Sequence, residues 1–176
     1  MFHQNNITIY TDGSSRGNPG PGGFASIVVV DGTKVIEYGG HDKHTTNNKM
    51  ELSGVIHGLK IGLNNVTQNI NHITVYSDSK YVLNGISSWI HNWKKNNWKT
   101  AAKKEVLNQD LWQELDKLVE TVSQKNIKIE WNYVKGHADN SYNNRADIIA
   151  TTCAIEGVTK VFYEGDFEVW NTPNVN

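Results

Sequence analysis

A single cysteine, Cys153, and three prolines are all that this 176-residue sequence has of either type. One cysteine excludes an internal disulfide and any zinc site built on several thiolates, and its place in the apolar run ADIIATTCAI fits a buried, inert thiol. No apolar run approaches the roughly 18 to 20 residues of a membrane span, and the first residues, MFHQNN, are polar. A cytoplasmic protein with no role at a membrane is therefore expected. An excess of one charge is missing as well. The 17 Lys and Arg residues nearly balance 18 Asp and Glu, for a net charge of -1, so any footprint for nucleic acid must be local. Internal repeats, low-complexity tracts and linkers are absent, and 38% hydrophobic residues at this length suit one domain around one core.

What is present is unevenly placed. From Lys94 to Lys104 the segment KKNNWKTAAKK holds five lysines and no acid, and Trp89, Trp93 and Trp98 interleave with it. From Tyr10 to Gly23 the stretch YTDGSSRGNPGPGG holds five glycines and two of the three prolines behind one aspartate. Either that loop is only a wide turn, or it displays Asp12 for chemistry. GPGGFA, from Gly20 to Ala25, formally matches a dinucleotide fingerprint, but that mechanism needs a helix after the glycines to receive the pyrophosphate. The β-branched run FASIVVV follows instead, which excludes it.

β-Branched and aromatic clusters predict strands at 7–11, 24–30, 35–38, 73–76 and 127–133, with Asp31-Gly32 as a hairpin turn. Helical spacing predicts helices at 49–63, 80–93, 109–124 and 143–156. The order implies an α/β sandwich on a five-stranded mixed sheet, whose first three strands form an antiparallel meander. Ligands of such sheets gather beyond the carboxyl ends of parallel strands. Asp12 stands at the end of the first strand and Asp78 at the end of the fourth. If those strands are parallel neighbours, the two carboxylates lie side by side. Glu51 and Asp147 stand near the starts of two helices, where a lone acid is ordinarily a solvated or helix-dipole residue. As a set, four carboxylates at one end of a sheet would repel one another by kcal/mol amounts and demand a cation. Oxygen donors alone favour Mg²⁺ or Mn²⁺ over zinc.

Five blocks in order, TDGSSRGNPGPGG, TTNNKMEL, YSDSKYV, WIHNWKKNNWKT and VKGHADNSYNNRADIIA, resemble a bacterial-type ribonuclease H of type I from about Ile7 to Ala154. The resemblance implies the ribonuclease H-like fold and hydrolysis of the RNA strand of an RNA/DNA hybrid, leaving 5′-phosphate and 3′-hydroxyl ends. By that similarity Asp12, Glu51, Asp78 and Asp147 match the family's catalytic acids, which hold two Mg²⁺ ions with Mn²⁺ as a substitute, and His137 matches its mobile-loop histidine. Asn18, Asn47 and Asn48 occupy groove-contact positions, and Asn18 with Thr46 resembles a pocket for a DNA phosphate. Trp89, Lys94, Lys95 and Lys99 resemble part of a basic handle, at about 87–105, that grips the DNA strand. The implied organisation is a catalytic domain over 1–157 followed by an appendage over 158–176 that is not a separate domain, in a chain acting as a monomer. Asn144, Ser15 and Lys80 depart from the family pattern without touching the four acids. A non-catalytic hybrid-binding module is the alternative, and it would require a broken acid set.

Overall fold

The computed structural model describes residues 4–135 and 140–172. Strand β1 (Asn6–Ser15) turns through residues 16–19 into β2 (Gly20–Val30), and the Asp31-Gly32 turn leads into β3 (Lys34–Thr45). Helix α1 (Asn47–Asn64) crosses over to β4 (His72–Ser77). A helical run follows as α2 (Lys80–Asn84), a π-helical turn (Gly85–Trp89) and α3 (Ile90–Lys95). Then come α4 (Gln109–Gln124), β5 (Lys128–Tyr133), α5 (Ser141–Glu156), β6 (Lys160–Asp166) and α6 (Phe167–Asn171).

The strands form one mixed sheet in the order β5-β4-β1-β2-β3-β6, antiparallel across β1, β2 and β3 and parallel across β1, β4 and β5. The α/β architecture and the meander agree with the sequence. The strand count does not, because six strands are present rather than five. The sixth lies in the appendage, where KVFYEGD pairs antiparallel with the outer edge of β3. An edge strand satisfies a neighbour's unpaired N–H and C=O groups, and the location of that edge is a tertiary fact.

The glycine-rich stretch also differs from expectation. β1 continues through Asp12 to Ser15 and pairs with β2 as far as Ser15 opposite Gly22, so most of those glycines lie in the sheet and not in a wide turn. Two of them permit close helix packing. A Cβ on Gly13 would overlap the backbone of Met50 and Glu51 in α1, and one on Gly23 would overlap the backbone of Ala150 and Ala154 in α5. With only hydrogen at these positions, the two helices that carry Glu51 and Asp147 can sit directly on the strands.

The sheet buries both faces. On one, Ile7, Ile9, Ile73 and Val75 pack with Leu52, Val55 and Leu59 of α1 and Trp112 and Leu115 of α4. On the other, Ala25, Ile27 and Val35 pack with Ala146, Ile149, Ala150 and Cys153 of α5. The helix predicted at 80–93 is interrupted by its π turn, where Gly85 lies against the Trp112 indole so closely that a Cβ would overlap the ring. Such single π turns interrupt α-helices and are frequent near functional sites. Among the described residues, no helix is long and apolar enough to cross a membrane.

Candidate active site

The parallel ladder between β1 and β4 ends with Thr11 opposite Ser77. Asp12 and Asp78 are the next residues of their strands, so the ladder delivers two carboxylates side by side at the carboxyl end of the sheet. Asp12 is 9% exposed. Burial raises its pKa, the charge of Asp78 raises it further, the Gly13 amide at 2.7 Å opposes, and Asp147, within hydrogen-bonding reach, adds to the rise, leaving it at about 8. Asp147 comes from the second turn of α5, which Gly23 admits onto β2.

Glu51 lies in the opening turns of α1, which Thr46 caps by accepting from the Lys49 amide at 3.4 Å. Burial raises the Glu51 pKa, against hydrogen bonds from Ser79 and Asn47, and the charge of Asp78 contributes to the rise. The Asn47 amide nitrogen donates to Oε1 at 2.8 Å and the Ser79 hydroxyl donates to Oε2. Ser79 also caps α2, accepting from the Val82 amide at 3.2 Å. Its role escapes the sequence, where it is only the residue after Asp78.

The structure therefore brings Asp12, Glu51, Asp78 and Asp147 into one electrostatic cluster. Among the described residues no three acidic, histidine or cysteine side chains already form a closed metal-ligating group. What the fold supplies is a set of oxygen donors whose mutual repulsion a divalent cation would relieve, and that donor chemistry fits Mg²⁺ or Mn²⁺. Asn143, one helical turn before Asp147, is 2% exposed, and its Oδ1 has no hydrogen-bond partner among the described residues. His137 lies outside the described residues.

The residues assigned to substrate contact fall in two groups. Asn18, Thr46, Asn47 and Asn48 cluster at the start of α1, where the exposed Asn18 accepts from the Asn47 amide at 3.3 Å. Asn47 is tied to Glu51 as well, through its side-chain amide. The other group lies on the lysine-rich segment. Trp89 is 37% exposed and packs edge-on against Tyr81, while Trp93 and Trp98 pack against the core. Lys95 and Lys99 are exposed. Lys94 is turned toward α4, where its ammonium group meets Asp116 at 2.8 Å and Glu120 at 2.9 Å.

Comparison with known proteins matches these features. The family model for RNase H aligns with residues 4–155. A ribonuclease H of Thermosynechococcus vestitus is 49% identical over 142 residues, covering 81% of this chain and 84% of that one. One from Treponema denticola is 49% identical over 156 residues, covering 82% and 94%. Among solved structures, a type 1 RNase H with the type 2 active-site motif superposes with a TM-score of 0.76 at 27% identity, over 96% of this chain and 82% of the other. The N-terminal RNase H domain of a Mycobacterium tuberculosis protein does so with a TM-score of 0.65 at 28% identity, over 86% and 94%. With a family match over most of its length and a sheet that sets two aspartates beside the acids of α1 and α5, the chain belongs to the ribonuclease H family.

Proposed function

We propose that the chain hydrolyses the RNA strand of RNA/DNA hybrids as a monomer, using two divalent cations held by Asp12, Glu51, Asp78 and Asp147 and leaving 5′-phosphate and 3′-hydroxyl ends. The observation that carries this reading is the mutually repelling acid cluster, with Asp12 buried and its partners half-buried, at the end of the β1–β4 ladder, in a chain similar along most of its length to proteins named ribonuclease H. When bound, such cations act as Lewis acids on a phosphoryl oxygen and lower the pKa of water.

The chain's own residues prepare the site. Asn47 and Ser79 hold the two oxygens of Glu51 from either side, which fixes the plane of that carboxylate. Gly13 and Gly23 let α1 and α5 approach closely enough for Glu51 to interact with Asp78 and for Asp147 to interact with Asp12. Asn18, Thr46, Asn47 and Asn48 present short polar groups suited to a wide minor groove, where shape, phosphates and 2′-hydroxyls are read. Trp89, Lys95 and Lys99 form the exposed part of the second substrate-binding group, and His137 handles protons or product release.

Cleavage of an end-labelled RNA strand in a hybrid, compared for wild type and Asp12→Asn with Mg²⁺ or with chelator, tests the proposal. Cutting that needs both the metal and Asp12 is expected. Hybrid binding without cutting in either Mg²⁺ or Mn²⁺ would show a recognition module instead.

A further inference from the structure

The family match ends at residue 155, and the segment that follows has no part in the site described above. It nevertheless reaches the helix that carries Asp147. β6 lies along the edge of β3, with Lys34 paired to Glu164 at 2.7 Å. The Phe167 amide then donates to the Thr33 carbonyl at 2.8 Å, and Asp166 caps α6 by accepting from the amides of Glu168 and Val169. This seats Trp170 over the beginning of α5.

Trp170 is held there by a hydrogen bond and a ring stack. Its indole N–H donates to Glu37 Oε1 at 2.9 Å, and its ring stacks on Tyr142 with centroids 5.4 Å apart and planes 11° from parallel. The Tyr142 ring also meets Tyr10 of β1 at 4.8 Å, two residues before Asp12 on the same face of the strand. Glu37 is a carboxylate 1% exposed on β3, and besides the indole it accepts both arms of Arg145, Nε and Nη2, at 2.8 Å each. Arg145 precedes Asp147 by two residues.

An ion pair of this kind adds little stability over an apolar replacement. Its two parallel hydrogen bonds are directional, however, and they fix how a helix is rotated on its sheet. We propose that Glu37 is a positioning residue for the reaction and that the C-terminal strap, residues 158–172, completes it through Trp170. Glu37 holds Arg145 and Trp170 together, Trp170 presses Tyr142 onto Tyr10, and these interactions set the seat of α5 and hence the placement of Asp147 beside Asp12. The inference rests on the hybrid-cleaving function proposed above.

Steady-state kinetics on an RNA/DNA hybrid, run well below the melting temperature, test it with Glu37→Gln, Trp170→Ala, Trp170→Phe and Glu164→Gln. Glu37→Gln and Trp170→Ala should lower kcat by about tenfold with KM within about twofold of wild type, as losing an orienting partner does. Trp170→Phe keeps an aromatic ring to stack on Tyr142 and loses the donor, so it should fall between them and wild type; it decides the matter if the harsher variants fail to fold. Glu164→Gln removes only the exposed pair with Lys34 and leaves the interactions of Trp170 and Glu37 in place, so it should keep wild-type kcat. The rise in Tm on adding Mg²⁺ without substrate should shrink in Glu37→Gln and Trp170→Ala and persist in Glu164→Gln. Wild-type kcat in folded Glu37→Gln and Trp170→Ala, a change in KM alone, or an equal loss in Glu164→Gln would overturn the proposal. Failure of wild type to cut the hybrid would instead remove the functional reading, and the Mg²⁺ response would still judge the strap.

Discussion

On the face of the sheet covered by α1 and α4, the described residues include nineteen buried apolar side chains in one cluster. On the face covered by α5 there are eight, and they share the interface with the Glu37–Arg145 pair and the Tyr10–Tyr142–Trp170 stack. Apolar burial is non-directional and gives adhesion. Bidentate hydrogen bonds and stacked rings give orientation. Both faces deliver an acid to the same site, but by different means. The α1 face holds Glu51 through its immediate neighbours Asn47 and Ser79, whereas the α5 face orients Asp147 through interactions made by the whole helix. A site carboxylate thus needs directional support on either face: beside a large core it comes from immediate neighbours, and beside a small one from the contacts of the whole helix.

The largest expected effect comes where the faces meet. Asp12→Asn should reduce cleavage to background. The same change should alter the pH dependence of stability. Folded Asp12 holds its proton up to about 8, against an ordinary value of 3.8, so its contribution favours the folded state at low pH and is lost as pH rises through 8. With chelator present, the Tm of wild type should fall progressively from about pH 4 to about pH 8 and level off above it, and Asp12→Asn should flatten that fall. Mg²⁺ should restore the Tm of wild type at the alkaline end and leave the variant nearly unmoved. A wild-type Tm that does not respond to Mg²⁺ at alkaline pH would break the link between acid cluster and cation.

Next is a matched pair across the sheet. Leu59→Ala on the α1 face and Arg145→Ala on the α5 face should each destabilise by about 3 kcal/mol, the first by leaving a cavity and the second by stranding buried Glu37. Denaturant unfolding measures both changes. Only Arg145→Ala should lower kcat at 25 °C. Equal kcat reductions would erase the distinction between the faces.

Smaller effects are expected from glycines. Gly23→Ala should cost roughly 1 to 3 kcal/mol, because its Cβ would overlap the backbone of α5. Gly62→Ala, whose Cβ would meet Ile7 and Ile9 at an ordinary 3.5 Å, should stabilise α1 by up to about 1 kcal/mol. Thermal unfolding of the two variants should therefore move in opposite directions.

The smallest concerns the lysine-rich segment. Neutralising Lys95 and Lys99 should flatten the log-log salt slope of hybrid binding by about 0.7 to 0.9 for each lysine–phosphate pairing removed. Neutralising Lys94, already paired with Asp116 and Glu120, should change it less. Equal slopes for the three single variants would show that the Lys94 pairing yields to the substrate.

Much of this is legible in the chain itself. Asp12 and Asp78 stand out because an apolar strand runs into each of them, and the meander follows from β-branched runs separated by a turn. Glu51 and Asp147 are ordinary helix-start acids when taken singly, and only the order of the five motif blocks singles them out. Ser79, Glu37 and Trp170 stay hidden because their roles depend on partners far away in the chain. Glu37 meets Arg145 108 residues later and Trp170 133 residues later. Likewise, a lysine's place in a basic run does not reveal that Lys94 faces the acids of α4.

By itself the sequence determined most of the element types, the antiparallel meander and the four candidate acids, because periodicity, turn residues and motif spacing are local properties of a chain. Only the tertiary structure decided that the glycines after Asp12 seat two helices, that residues 160–166 extend the sheet, and that Glu37 joins the strap to α5. These are outcomes of close packing and edge pairing, in which each interaction depends on where distant segments come to rest.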